Sequence, residues 1–300
     1  MTDTEQTRCG YVAVIGAPNA GKSTLVNHLV GAKVSIVTHK VQTTRTRVLG
    51  IAMRGATQLV LVDTPGIFAP KRRLDRAMVR AAWDGAKDAD AIVLLVDAQG
   101  GVTAEVDRII KGLSDGKRRA ILALNKVDTV KADTLLGLSA RLNASFPFER
   151  TFMISALNGS GVEDLARTLA AEMPWSPWLF PEDEASDMPV RLLAAEVTRE
   201  KLFLNVHEEV PYALTVETEL WEEKPDGSAR VEQTIYVERD SQKAIILGKG
   251  GQRIKAIGAA ARHDLEAMLE KRIHLFLFVK VREGWQNDRE RYRTWNLEFD

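Results

Sequence analysis

Gly16-Ala17-Pro18-Asn19-Ala20-Gly21-Lys22-Ser23 stands directly after the apolar run Tyr11 to Ile15 and directly before the helical stretch Thr24 to Val30. A glycine-rich turn leading from a strand into a helix is the setting in which this spacing cradles phosphates. Gly16 and Gly21 let backbone N–H groups converge on phosphate oxygens, and the helix N-terminus favours the negative charge. Lys22 reaches the β and γ oxygens, and Ser23 offers its hydroxyl to Mg²⁺. All eight residues are therefore assigned to a nucleotide.

Outward from this loop, to about Met173, short β-type runs alternate with helical segments; Leu59 to Val62, Ala91 to Val96, Ala120 to Leu124 and Thr151 to Ile154 are the clearest strands. Such alternation predicts a doubly wound α/β domain, a mostly parallel sheet with helices on both faces and its ligand at the C-terminal strand ends. The texture then changes. Pro174-Trp175-Ser176-Pro177-Trp178 and the acidic run Pro181 to Pro189 continue neither a helix nor a central strand. The reading is a nucleotide-binding domain over 1–174, a linker over 175–189 and a second domain over 190–300. Trp175 and Trp178 are read as packing the linker against one domain. The second domain is predicted as α+β: a helix from about Val190 to Phe203 and strands Tyr212 to Trp221 and Arg230 to Glu238. A short helix Gln242 to Leu247, a long helix from about Gln252 to Arg272 and a strand Ile273 to Val281 follow. Leu214, Val216, Thr218 and Leu220 are expected on one face of the first of these strands.

Composition bounds the rest. With 300 residues there is room for two ordinary domains, and a formal net charge of zero leaves nucleic-acid binding to a local patch. No apolar run approaches the length of a bilayer span, and Met1 to Arg8 is polar with acidic residues, unlike a secretory or transit segment; the expected address is the cytosol. The single cysteine, Cys9, allows neither an intramolecular disulfide nor a multi-cysteine metal site. The five histidines show no metal-ligand spacing.

Three further motifs choose the nucleotide. Leu59 to Val62 leads into Asp63-Thr64-Pro65-Gly66, where an acid at a strand end holds Mg²⁺ through water and the Gly66 N–H meets a γ-phosphate. Ala120 to Leu124 leads into Asn125-Lys126-Val127-Asp128. The Asp128 carboxylate accepts from both N1–H and the 2-amino group of guanine, and adenine offers neither donor. Ser155-Ala156-Leu157 places a backbone N–H near guanine O6. GTP and GDP, with Mg²⁺, are the expected ligands. In Gln42-Thr43-Thr44-Arg45 a threonine is expected to complete the Mg²⁺ shell, Thr44 being favoured and Thr43 kept as the alternative. Release of the γ-phosphate would free this loop and residues 66–73. Ile67, assigned to the nucleotide with Asp63, Thr64, Pro65 and Gly66, stands where many signalling GTPases carry a water-orienting glutamine, so slow intrinsic turnover is expected. Arg45 is read as a solvated loop arginine, with action on the phosphates as the alternative.

The motifs GAPNAGKS, QTTRTR, DTPG, NKVD and SAL, followed by one C-terminal RNA-binding-type domain, resemble the Era family of bacterial GTPases over nearly the whole chain. In Ile245 to Lys255 the turn Gly248-Lys249-Gly250-Gly251 joins two helices ahead of a strand and resembles the GxxG loop of a type II KH domain, which clamps about four nucleotides. Between Ser241 and His263, Lys243, Lys249, Arg253, Lys255 and Arg262 are basic and no residue is acidic. Gly248, Lys249, Gly250, Gly251, Arg253 and Lys255 are assigned to RNA on this basis. Gly250 departs from the basic residue that family members often carry there. The resemblance implies binding of 16S rRNA near its 3′ end, a role in maturation of the small (30S) ribosomal subunit, and a monomer. A membrane-associated signalling or cell-cycle GTPase at the inner face of the cell membrane is the alternative. Resemblance to potassium-stimulated GTPases implies that Asn19 helps bind K⁺ and so joins Lys22, Thr44 and Gly66 among the catalytic residues.

Overall fold

In β1 (Arg8–Gly16) successive side chains enter different cores. Val12 and Val14 join a cluster with Leu25, Leu29, Leu165 and Leu169, while Ala13 and Ile15 join Ala82, Ile109 and Leu142 on the other face. A strand buried on both faces needs helices on both, which is the doubly wound arrangement. The computed structural model describes residues 6–40, 43–207 and 209–299; Gln42 and Met1 to Glu5, read above from sequence, lie outside these.

Two compact units form, Met1–Ser35 with Thr44–Asp187 and Glu290–Asp300, and Ile36–Thr43 with Met188–Arg289. The first contains β1, α1 (Lys22–Val30), β2 (Val48–Arg54), β3 (Thr57–Asp63), α2 (Arg73–Lys87), β4 (Ala91–Asp97) and α3 (Ala104–Asp115). It continues with β5 (Ile121–Asn125), α4 (Ala132–Ser145), β6 (Thr151–Met153) and α5 (Val162–Glu172). The strand order is β2-β3-β1-β4-β5-β6, parallel except for β2, which pairs antiparallel with β3. Helices α1 and α5 cover one face and α2, α3 and α4 the other. The edge strand β2 was not among the clearest strands in the sequence. It is a hairpin partner to β3, closed by the short turn at Gly55 (φ 58°), where a glycine relieves the left-handed backbone.

The stretch 175–187 is strapped to this unit rather than free. Arg8 forms a β-bridge with Trp175 and stacks its guanidinium 4.0 Å from that ring, although Trp175 is 61% exposed. Trp178 donates its indole N–H to Ala56 O, and Gln58, fully buried, accepts the amides of Leu179 and Phe180. Ile51 N donates to Ala185 O at 2.9 Å, satisfying a β2 edge amide. Cys9 is buried beside Gln58.

In the second unit α6 (Val190–Asn205), β7 (Leu214–Glu223), β8 (Ala229–Val237), α7 (Asp240–Leu247), α8 (Gln252–Leu269) and β9 (Ile273–Val281) give a sheet in the order β7-β8-β9. β8 and β9 are parallel, so they require the α7–α8 crossover between them. The single face expected for β7 is corrected: a bulge between Thr218 and Leu220 shifts the register, so that Trp221, not Leu220, faces inward with Val231. One extra residue in a strand inverts every side chain beyond it. α8 stops at Leu269, short of Arg272, because Glu270 turns left-handed (φ 50°).

Residues 36–43 belong with this second unit. Val37 N donates to Glu200 Oε1 at 2.9 Å, Lys40 Nζ caps the carbonyls of Phe203 and Val206 at the end of α6, and Arg199 donates to the carbonyl of Thr43. The C-terminal stretch from Glu290, assigned by sequence to the second domain, packs instead in the first unit. Its aromatic residues Tyr292 and Trp295 are buried there. A short helix, α9 (Arg289–Thr294), leads into it.

Candidate functional site: a guanine-nucleotide site and a GxxG surface

Backbone approach governs the phosphate loop. A Cβ on Gly16 would stand 2.4 Å from Leu95 O, and one on Gly21 (φ 98°) would stand 2.3 Å from Asn125 Nδ2, so both positions demand glycine. Asn19 also holds positive φ (62°), a conformation in which asparagine is enriched. Lys22 is buried, and its ammonium donates to Gly16 O at 3.3 Å and Ala17 O at 3.0 Å. Burial lowers its pKa to about 8, opposed by the Asp63 charge.

Ser23, Thr44 and Asp63 are brought together. Ser23 Oγ donates to Asp63 Oδ2 at 2.7 Å and lies 3.0 Å from Thr44 Oγ1, which is 3.5 Å from the same carboxylate oxygen. The Thr43 hydroxyl lies 2.7 Å from that of Thr38 and donates to Lys40 O, so it is committed within its own unit. Asp63 is buried, which raises its pKa, while Ser23, Lys22 and the nearby Ser35 and Thr44 hydroxyls favour its charge. Its Oδ1 makes no hydrogen bond. Two hydroxyls and a buried carboxylate with an uncommitted oxygen form a hard, all-oxygen donor set, which fits Mg²⁺.

Asp63-Thr64-Pro65-Gly66 locks against the phosphate loop. Thr64 donates its buried hydroxyl to Val14 O, Ile67 N donates to Gly16 O at 3.1 Å, and a Cβ on Gly66 would meet Pro18 at 2.9 Å. Thr64 thus spends its side chain on β1. Ile67, also assigned by sequence to the nucleotide, has its side chain fully buried in the α2–α3 face of the core, so its backbone alone faces the loop. Arg45 is corrected, because it is 3% exposed rather than solvated.

Asn125 acts as a strut that the sequence reading missed. Its Nδ2 donates to Ala20 O at 2.8 Å and its Oδ1 accepts Ala156 N–H at 2.9 Å, tying the phosphate loop to the Ser155–Leu157 turn. Removing it would leave two buried backbone groups unpaired, at about 1–3 kcal/mol each. Lys126 sits at positive φ (64°) with its ammonium 2.6 Å from Asp97. Val127 N is held by Ile154 O, which ties this loop to the chain leading into the buried Ser155 and Ala156, and Asp128 is exposed. The β1, β3 and β5 ends and the loop after β6 thereby converge at one edge of the sheet.

The Gly248–Gly251 turn lies on the second unit. Gly248, Gly250 and Gly251 all have positive φ (69°, 58° and 76°), and a Cβ on Gly250 or Gly251 would meet nothing within 4 Å. The turn therefore presents bare backbone outward at the start of α8. Lys249 and Lys255 are exposed. Arg253 donates its guanidinium to Ile245 O, closing the end of α7, so it bonds within the unit as well as offering charge.

Phosphate loop, acid at a strand end, Asn-Lys-x-Asp and Ser-Ala loop on a doubly wound sheet define a guanine-nucleotide GTPase; the second unit, helix–GxxG–helix on a mixed sheet, is of the KH kind. Residues 11–126 match the family described as 50S ribosome-binding GTPase, and residues 209–286 match the KH domain family. The chain is 62% identical over 298 residues to GTPase Era of Brucella suis biovar 1 (strain 1330), covering 99% of this chain and 96% of that protein. It is 55% identical over 315 residues to GTPase Era of Caulobacter vibrioides (strain NA1000 / CB15N), covering both in full. A crystal structure of Era in complex with MgGDPNP and nucleotides 1506–1542 of 16S ribosomal RNA superposes with a TM-score of 0.92 at 37% identity, covering 96% of this chain and 98% of that one. An Aquifex aeolicus Era variant bound to GDP and AlF4⁻ gives 0.91, also at 37% identity, covering 96% and 99%. The chain belongs to the Era family and hydrolyses GTP.

Proposed function

We propose that this GTPase is a switch that binds 16S rRNA near its 3′ end and acts in maturation of the small ribosomal subunit, working in the cytoplasm as a monomer. The observation that carries this reading is the basic, outward-facing Gly248–Gly251 turn, with open space beside Gly250 and Gly251, on the same chain as the nucleotide site. Single-stranded RNA needs close approach of its sugar-phosphate chain to backbone N–H groups, and only glycines leave room for it. The Era relative bound to MgGDPNP and 16S rRNA nucleotides supports both ligands.

In hydrolysis, Lys22 and the Gly66 N–H stabilise charge on the γ-phosphoryl oxygens, and the loop amides hold the β-phosphate. Ser23, Thr44 and Asp63 would hold Mg²⁺, which supplies further charge neutralisation between the β and γ oxygens. The Ile67 side chain, turned into the core, cannot orient water, so turnover is slow and another group positions the nucleophile. Asn19, at the exposed tip of the loop, is proposed to help bind K⁺ beside the phosphates. GTP hydrolysis is expected to run faster in potassium than in sodium buffer, and Asn19→Ala to lose that difference; equal rates in the two buffers for the unaltered protein would refute the role.

Changing both Lys249 and Gly250 to Asp places two carboxylates against the phosphate chain. Affinity for a single-stranded 16S 3′ oligonucleotide is expected to fall by more than about 100-fold while GTP affinity stays unchanged. Retained RNA affinity in that variant would overturn the assigned surface. Cosedimentation with small subunits and with anionic vesicles, each with and without GTP, separates the ribosomal role from a membrane-associated one. Among the described residues no helix is long and apolar enough to cross a membrane.

A further inference from the structure

The segment after Arg289 has no place in the nucleotide or GxxG surfaces, yet it packs in the first unit against α2. Arg73, Arg76 and Arg80 are spaced i, i+3 and i+7, so they form one stripe along that helix. The C-terminal segment answers the stripe with aromatic rings and an acid. The Arg73 guanidinium lies 4.7 Å from the Phe299 ring centroid, and Glu298 pairs with Arg80 at 2.7 Å. Tyr292 is fully buried and packs edge-on against Phe299 at 4.9 Å; burial raises its phenol pKa, opposed by the charges of Arg73 and Arg76. Trp295 and Leu297 are each 7% exposed, as a docked rather than a trailing segment requires.

The part of α2 so gripped runs from its first turn, where the chain leaving the γ-phosphate motif becomes helical, to Arg80. Asp75 accepts the amides of Lys71 and Arg72, both at 3.0 Å, and thereby fixes the end of the irregular stretch 66–72. The other end of that stretch is fixed by Ile67 N on Gly16 O. Gly66 stands immediately before the first anchor, so residues 68–70 are the link through which the first turn of α2 bears on its N–H. We propose that residues 290–299 are a positioning element of the GTPase reaction: docked on the Arg73–Arg76–Arg80 stripe, they hold α2 and, through it, the segment that presents Gly66 to the γ-phosphate.

The contact acts on γ-phosphate recognition, since GDP makes no use of Gly66. In the full chain, Glu298→Arg with Phe299→Ala replaces the ion pair by repulsion and removes the ring under Arg73. The expected result is a fall of about five-fold both in kcat for GTP hydrolysis and in affinity for a non-hydrolysable GTP analogue, with GDP affinity unchanged. Exchanging the charges, Arg80→Glu with Glu298→Arg, is expected to keep kcat near that of the unaltered protein. Hydrogen exchange of the 66–72 amides should accelerate in the first variant and not in the second. An unchanged kcat in the first variant would overturn the proposal, as would a parallel loss of GDP affinity, the mark of a segment that serves packing alone.

Discussion

Asp128→Asn is expected to move nucleotide preference from guanosine to xanthosine. The carboxylate accepts two hydrogen bonds from guanine, at N1–H and the 2-amino group, and an amide cannot accept both without turning a donor toward one of them. Xanthine offers a carbonyl at position 2 in place of the amino group, and the asparagine N–H₂ can donate to it. A site built to hydrogen-bond a polar group rejects the mismatched partner by about 10⁴–10⁵, so the loss of GTP affinity is expected to be of that order. The effect should be confined to base recognition, because Asp128 is exposed at the end of its loop while the buried strut is Asn125. Competition of GDP and XDP for the same site measures it. Unchanged selectivity would remove Asp128 from the base-reading role.

Lys22→Ala is expected to reduce kcat/KM for GTP by about 10³, the scale on which removal of one preorganised charge-stabilising donor acts. Lys22 is buried and held by two carbonyls of the loop, which fixes its charge in place before nucleotide binds. The same burial gives a pH signature. With its pKa lowered to about 8, Lys22 loses its proton as pH rises through that value, and phosphate binding favours the protonated form. Affinity for GTP should therefore fall above pH 8. Folding responds with the opposite sign: between about 8 and the unfolded value of 10.5 the unfolded chain binds more protons, so this group's penalty on stability shrinks as pH rises. Titration calorimetry of nucleotide binding from pH 7 to 9.5, with Lys22→Arg as the control whose charge does not titrate, checks the assignment; identical pH dependence in both proteins would count against it.

Both expectations rest on residues that could be read from the chain alone, and their neighbours explain why. Gly16, Lys22, Ser23, Asp63, Gly66 and Asp128 lie in short contiguous motifs at strand ends, where spacing already dictates geometry. The alternation of β-type runs with helical segments likewise foretold a sheet covered on both faces. The limits were equally physical. Asn125 looked like one letter of a base-reading motif, but its two hydrogen bonds reach Ala20 and Ala156, residues 105 and 31 positions away. The side chain of Ile67 points into the core, a placement that its position next to the Asp63–Gly66 motif does not announce. The bulge after Thr218 inverts the end of β7 without any glycine or proline to announce it.

The sequence by itself determined the chemistry of this protein: which phosphates are held, which base is read, and where a backbone-clamping turn lies, because each is encoded in local runs whose residue types are fixed by the ligand. Tertiary structure alone decided which segments belong together. Residues 36–43 are held by α6 through Glu200, Arg199 and Lys40, and the C-terminal stretch returns to α2 through Tyr292, Glu298 and Phe299. Those partners are separated by more than a hundred residues and carry no shared periodicity. Their pairing arises only from packing and charge once the units have folded, which no local pattern records.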